Sequence, residues 1–213
     1  QITLQKAILN SATITIPGTF LAVYFSALTA YGIHVYDFKF KKFAWAFIMA
    51  VMMVPSQISI IGFYRFMLDL KLIDTYIPLI IPTIAAPTVV FFMKQYMEST
   101  LSLEMIEAAR IDGCGYVQTW MKVIFPIARP GIMTAAVLAF LNNWNEYYWA
   151  SLVLITREKL TVPALLSTFT TAFNTNYNGL FSAMVIIILP PVLLYCIFSR
   201  FFIEALSGGA VKG

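Results

Sequence analysis

Apolar residues in this chain fall into long blocks rather than alternating with polar ones. The blocks cover about residues 7–32, 44–67, 77–97, 131–155 and 181–203, separated by the more polar segments 33–43, 69–76, 98–130 and 156–180. Each block is close to the roughly 20 residues a helix needs to cross the hydrocarbon core of a bilayer. The strict two-residue alternation of a membrane β-barrel is absent from them. A spanning segment must satisfy its own backbone polar groups, so the blocks predict helices and the fold class is all-α, a polytopic membrane protein with about five transmembrane helices. Composition agrees: 60% of the 213 residues are hydrophobic and 11% charged, with a mean hydropathy of +0.81. A soluble domain is nearer one quarter charged.

The blocks are not uniform. The first carries Ser11, Thr13, Thr15, Gly18, Thr19, Ser26, Thr29 and Gly32, small and hydroxyl residues that let membrane helices approach and hydrogen-bond. Pro17-Gly18 is a candidate kink there. The second holds Met49, Met52, Met53 and Pro55, and the third Pro78, Pro82 and Pro87. Prolines in such numbers fit either a bent helix or a broken one lining a transport path. The fifth block is expected to bend at Pro190-Pro191.

The net charge of +4 comes from basic residues scattered at block ends, which points to membrane topology and away from nucleic acid. Lys39, Lys41 and Lys42 place segment 33–43 on the cytoplasmic side, and Lys94, Arg110, Lys122 and Arg129 do the same for 98–130. Five spans then put the N-terminus outside and the C-terminal segment 204–213 inside, with Lys71, Arg157 and Lys159 outside. Cys114 and Cys196 form no disulfide pattern. His34 is the sole histidine, expected at the membrane interface. No metal-ligand or nucleophile–base cluster is present, and no Gly-rich phosphate loop with lysine, so nothing here reads as an enzyme or as an ATP site.

Segment 98–130 is a water-compatible island between two apolar blocks. Ser102 suits an N-cap, Glu104 the first turn and Gly113 the position just past a helix end. On that helix Met105, Ile106 and Ala109 should share one face, and Glu104 and Glu107 another. A second short helix over about 115–125 should turn Val117, Trp120, Met121 and Ile124 to one side and stop at Pro126. Such a pair is either a dock for a soluble partner or lies flat on the bilayer. The fourth block carries Asn142-Asn143-Trp144-Asn145-Glu146-Tyr147-Tyr148-Trp149, costly polarity at membrane depth. Amides and aromatic rings suit a sugar. They equally suit a polar lock between subunits with an aromatic belt. Glu146 is also the one clear carboxylate an ion-coupled secondary transporter could use, which is the alternative function.

At the island the chain resembles the permease subunits of ATP-binding-cassette importers. Their signature is Glu-Ala-Ala, three residues, Gly, nine residues, Ile, any residue, Leu-Pro; here Glu107-Ala108-Ala109, Gly113 and Pro126 stand in register, with Val123 and Phe125 for the Ile and Leu. Leu72-Ile73-Asp74-Thr75-Tyr76, Trp144-Asn145-Glu146 and the ending Gly208-Gly209-Ala210-Val211-Lys212-Gly213 are similar to the carbohydrate branch, of the second maltose-type permease kind.

The resemblance implies the type I importer fold as one transmembrane domain over 1–213, in a bacterial plasma membrane, with the family's first span lying upstream of Gln1. It implies four further partners besides membrane lipid: a second homologous permease, two ATPase subunits that hold ATP and Mg, and an extracellular or periplasmic sugar-binding protein. This chain would carry no cofactor of its own. Glu107, Ala108, Ala109, Asp112, Gly113, Tyr116, Trp120 and Pro126 would couple to the ATPase, with Glu107 as its charge partner. Pairing of Glu107 with Arg110 on its own helix stays open. Val211, Lys212 and Gly213 would also reach the ATPase, and residues 142–148 would border the substrate path under alternating access.

Overall fold

The computed structural model describes residues 3–169 and 177–210, the segment 204–210 by its backbone alone. Among the described residues the fold is helical, with no strand: α1 (Leu4–Val35), α2 (Lys41–Met53), α3 (Ile60–Asp69), α4 (Ile77–Ile80), α5 (Pro87–Thr100), α6 (Leu103–Ile111), α7 (Tyr116–Thr119), α8 (Phe125–Trp144), α9 (Tyr148–Val153), α10 (Val162–Leu166) and α11 (Tyr177–Ala210). Four helical stretches are long and apolar enough to cross a membrane: Leu4–Val35, Ile77–Thr100, Tyr116–Trp144 and Tyr177–Phe201. The helices Lys41–Met53 and Gln57–Asp69 pass the same test only when taken together as one broken span, which would be the fifth.

The boundaries differ from expectation where proline and polar residues intervene. The span expected over 44–67 is divided into two helices, Lys41–Met53 and Ile60–Asp69, interrupted around Pro55. Pro55 is extended there (φ −60°, ψ 125°), and proline disfavours the α region in the residue before it. The fourth span, expected over 131–155, instead runs from Tyr116 and ends at Trp144, with α9 following after a break. Pro126 does not stop the island's second helix. Residues Trp120–Ile124 form a π turn that feeds directly into α8, and its wider winding changes which carbonyl faces the proline ring. The helix also passes Pro130, whose carbonyl lies 3.0 Å from the Thr134 hydroxyl. α11 continues through Pro190-Pro191 to Ala210, so the backbone of 204–210 is helical; Val211, Lys212 and Gly213 lie outside the described residues.

The chain divides into two units. The first comprises 1–22, 54–84 and 139–196. Its core gathers Ala7, Trp144, Val162, Leu165 and Ile187, with a second cluster of Ile14, Leu79, Ala150, Leu154 and Ala164. The turn after α3 is pinned through Asp74. Lys71 and Asp74 both take positive φ (57° and 63°), a conformation rare outside glycine. The Asp74 carboxylate accepts from the backbone N–H groups of Ile155 (3.0 Å) and Thr156 (2.9 Å), the Thr156 hydroxyl (2.7 Å) and Lys159 Nζ (2.8 Å). Its own N–H donates to the Val153 carbonyl.

The second unit comprises 23–53, 85–138 and 197–213. Met93, Met97, Ile106 and Ile124 are fully buried in it. Gly131 lets α8 approach α5: a Cβ there would lie 2.3 Å from Tyr96 Cδ1.

Two measurements test these locks. The Lys159 ammonium, the Thr156 groups and the Ile155 N–H hold the Asp74 carboxyl well below the usual carboxylate range. Lys159 is 42% exposed, so solvent screens the ion pair and the N–H bonds carry much of the benefit. Asp74→Asn should cost about 1–2 kcal/mol of stability. A carboxyl whose pKa drops on folding stabilises above its unfolded value and loses that benefit as pH falls toward the folded one. The gap in melting temperature between wild type and D74N should therefore hold at neutral pH and close only below about pH 4. Gly131→Ala should destabilise by about 1–3 kcal/mol through its clash with the Tyr96 ring. Combining it with Tyr96→Leu should cost less than the two single changes summed, as read by thermal unfolding in detergent.

Candidate functional site

The island lies wholly in the second unit. α6 buries Ile106 and Ala109 and exposes Glu104, Glu107, Ala108 and Ile111, positions that share one helical face by their i, i+3, i+4, i+7 spacing. Met105, expected with Ile106 and Ala109, is 39% exposed instead. Ser102 has extended N-cap geometry without capping the backbone. Its hydroxyl, after the N–H of Glu104 itself, keeps the Glu104 carboxyl below its ordinary pKa.

The helix ends in a Schellman turn, with Cys114 N–H donating to the Ala109 carbonyl (2.9 Å) and Gly113 N–H to Arg110 (3.0 Å). Gly113 takes φ +82°, which any side chain would strain. Beyond the turn Tyr116, Val117 and Met121 are exposed and continue the apolar tip that Ile111 begins, while Thr119 and Ile124 are buried. The expected common face of Val117, Trp120, Met121 and Ile124 is thus split. The π turn over 120–124 advances the side chains by less than an α-helix would.

Aromatic contacts fasten the island to the end of α1. Trp120 packs on Tyr31 (ring centroids 5.1 Å apart), Tyr31 meets Tyr36 edge-on (5.5 Å), and Tyr36 meets Tyr116 (5.9 Å). Arg110 lies over both Tyr36 and Tyr116, at 5.4 and 5.6 Å, worth about 0.5–1 kcal/mol per exposed contact. Arg110 is therefore turned to the rings, and Glu107 makes no ion pair among the described residues. His34 Nε2 sits 3.0 Å from the Leu101 carbonyl that follows α5.

The polar stretch lies in the first unit and separates into two sets. Trp144 is 3% exposed and its indole N–H donates to the Ile187 carbonyl (3.1 Å). Asn143 lies beside Gly18, and its amide donates to the Thr19 hydroxyl (3.4 Å). Glu146 Oε1 accepts from the Trp149 N–H (2.9 Å), capping the first turn of α9. Asn142, Asn145, Tyr147 and Tyr148 are exposed. A cavity of about 20 Å³ between Ser11, Thr15, Asn143, Glu146 and Thr161 has room for one water and none for a sugar ring. The Thr15 hydroxyl on its wall has no hydrogen-bond partner among the described residues.

Residues 10–208 match the family of binding-protein-dependent transport system inner membrane components. The chain belongs to that family. It is 37% identical over 204 residues to the arabinooligosaccharides transport system permease protein AraQ of Halalkalibacterium halodurans, covering 96% of this chain and 73% of that one. It is 30% identical over 215 residues to the melibiose/raffinose/stachyose import permease protein MelC of Bacillus subtilis, covering 99% and 77%. Its fold is similar to a chain of a bacterial ABC transporter involved in the import of alginate (TM-score 0.80, 24% identity, 93% of this chain and 75% of that one). It is also similar to a chain of the MetNI methionine ABC transporter (TM-score 0.74, 16% identity, 95% of each). The architecture is thus that of an ABC importer permease, and one fold serves both a polysaccharide and an amino-acid system, so fold alone names no substrate.

Of the island residues named from sequence in this permease, Glu107, Ala108, Asp112, Gly113, Tyr116 and Pro126 are exposed, Ala109 is buried, and Trp120 turns inward against Tyr31. The roles of Tyr36 and Asp74 in holding the segments around them were not read from sequence. Their partners are distant in the chain, and the only signal was the Leu72-to-Tyr76 likeness. Trp144→Phe should leave a buried carbonyl at Ile187 without its donor and cost about 1–3 kcal/mol, whereas Tyr148→Ala should change thermal stability by about 0.5 kcal/mol or less.

Proposed function

We propose that this chain is a membrane-spanning subunit of an ATP-driven importer for a sugar or oligosaccharide, seated in a bacterial plasma membrane with its C-terminus toward the cytoplasm. A second permease completes the path, two ATPase chains supply ATP hydrolysis with Mg, and an outer binding protein delivers the sugar. The observation that carries the coupling role is the exposed stripe Glu104–Glu107–Ala108–Ile111, extended by Tyr116 and Val117. A helix lying on anionic lipid favours lysine and arginine beside a broad apolar face. Two carboxylates beside a narrow apolar tip fit a protein cleft with a basic wall instead, and Glu107 has no competing partner on its own helix. The Tyr116–Tyr36–Tyr31–Trp120 contacts support transmission of a push on the island to α1 as a rigid movement. Coupled to closure of the ATPases, that movement is the local step of alternating access.

The sugar reading rests on the names of the relatives and on the exposed amides and rings. Substrate contact falls to Asn142, Tyr147 and Tyr148, with Asn145 offering its Oδ1 while its amide N–H donates to the Leu141 carbonyl, since Asn143, Trp144 and Glu146 are committed to packing and capping. The ion-coupled alternative loses ground on the same geometry, because its one carboxylate, Glu146, serves as a helix cap.

Glu107→Arg should leave membrane insertion and assembly intact while lowering ATP-dependent sugar uptake in proteoliposomes at least about tenfold, as expected for a reversed charge at a buried contact. Unchanged uptake would remove Glu107 from the docking surface.

A further inference from the structure

The basic segment after α1 builds a groove outside the coupling stripe and the polar stretch 142–149. A groove of about 440 Å³ in the second unit is lined by Lys39, Lys41, Lys42 and Lys94 against Asp37 and Glu98. Lys94 is buried in its wall, paired with Glu98 and 4.4 Å from the Trp45 ring centroid. Glu98 is thereby committed, and Lys39, Lys41 and Lys42 face one remaining carboxylate, Asp37. None of these four makes an ion pair among the described residues. Lys41 begins α2, whose first backbone N–H groups add to the positive field.

Along the same helix start Phe40, Phe43 and Phe47 stand 59–70% exposed, with Phe43 and Phe47 stacked at 6.4 Å. α2 is half of a candidate span, and α1 and α5, whose ends flank the groove, belong to two others. Lysines in a concavity at the end of membrane helices, beside bare aromatic rings, offer charge for an anion and an apolar bed for acyl chains. A free anion would use only the first.

We infer that this groove binds the phosphodiester headgroup of an anionic phospholipid, with its chains laid along Phe43 and Phe47. Each lysine near a membrane surface contributes enough attraction for roughly a fivefold change in binding.

The test uses the full chain with its co-purifying partners in mild detergent and counts bound lipids by native mass spectrometry, titrating phosphatidylglycerol and phosphatidylcholine separately. The expected result is preferential retention of phosphatidylglycerol, weakened at least about tenfold in Lys39→Gln/Lys41→Gln/Lys42→Gln and unchanged in Lys71→Gln. Where the triple variant does not fold, Lys42→Glu alone should weaken binding measurably. Equal retention of the two lipids, or binding in the lysine variants equal to wild type, overturns the inference. Displacement of phosphatidylglycerol by an equal concentration of inorganic phosphate overturns the lipid source and leaves a free-anion site. Lipid retention is read without transport, so its failure is separable from failure of the importer reading.

Discussion

In a bilayer each backbone N–H and C=O must find a partner inside the protein, and this structure is arranged around that demand. Uninterrupted helix meets it locally. At several breaks and proline-disrupted turns, a side chain from elsewhere takes over. Asn10 donates to the carbonyls of Glu158 and Leu160, and Ser11 accepts from the Val162 N–H. The Thr83 hydroxyl reaches the Gly18 carbonyl, Trp144 serves Ile187, and His34 meets Leu101. Asp74 gathers two N–H groups of the segment after α9. Polar residues at membrane depth are expensive. Here most of them are committed to backbone groups, which is why few are left for chemistry.

That commitment separates scaffold from surface in the polar stretch 142–149. Asn143, Trp144 and Glu146 hold helices together, and the neighbouring Asn142, Asn145, Tyr147 and Tyr148 stay exposed. The same division runs through the island. Ile106, Ala109 and Ile124 anchor it, and the aromatic contacts from Trp120 to Tyr116 stiffen it. Glu104, Glu107 and Ile111 stay exposed, as the docking role proposed for the island requires. A docking element needs both properties: a face without internal obligations and a rigid mounting that does not absorb the push.

The island's existence, its Gly113 turn and its carboxylate stripe were legible because each depends on residues within a few positions of one another. Gly113 takes positive φ at a helix end, and spacing alone puts Glu104, Glu107 and Ala108 on one face. The second helix departs from its local pattern for a local reason too. Pro126 reads as a stop, yet the π turn at 120–124 carries the chain past it and reassigns Val117 and Met121 to the outside. Nothing in the composition of Trp120 to Ile124 marks a change of winding.

Hydropathy by itself determined that this is a multi-span helical membrane protein, because the cost of burying charge in lipid is written into composition and block length. The motif register determined the island. Only the tertiary structure decided that the second apolar block is broken at Pro55, that Trp144 is buried while Tyr148 is exposed, and that four lysines line one groove. Those outcomes depend on pairs such as Tyr31 with Trp120, Asp74 with Lys159 and Lys94 with Trp45. Such partners lie tens of residues apart, and a linear pattern records what each residue prefers but not which distant group satisfies it.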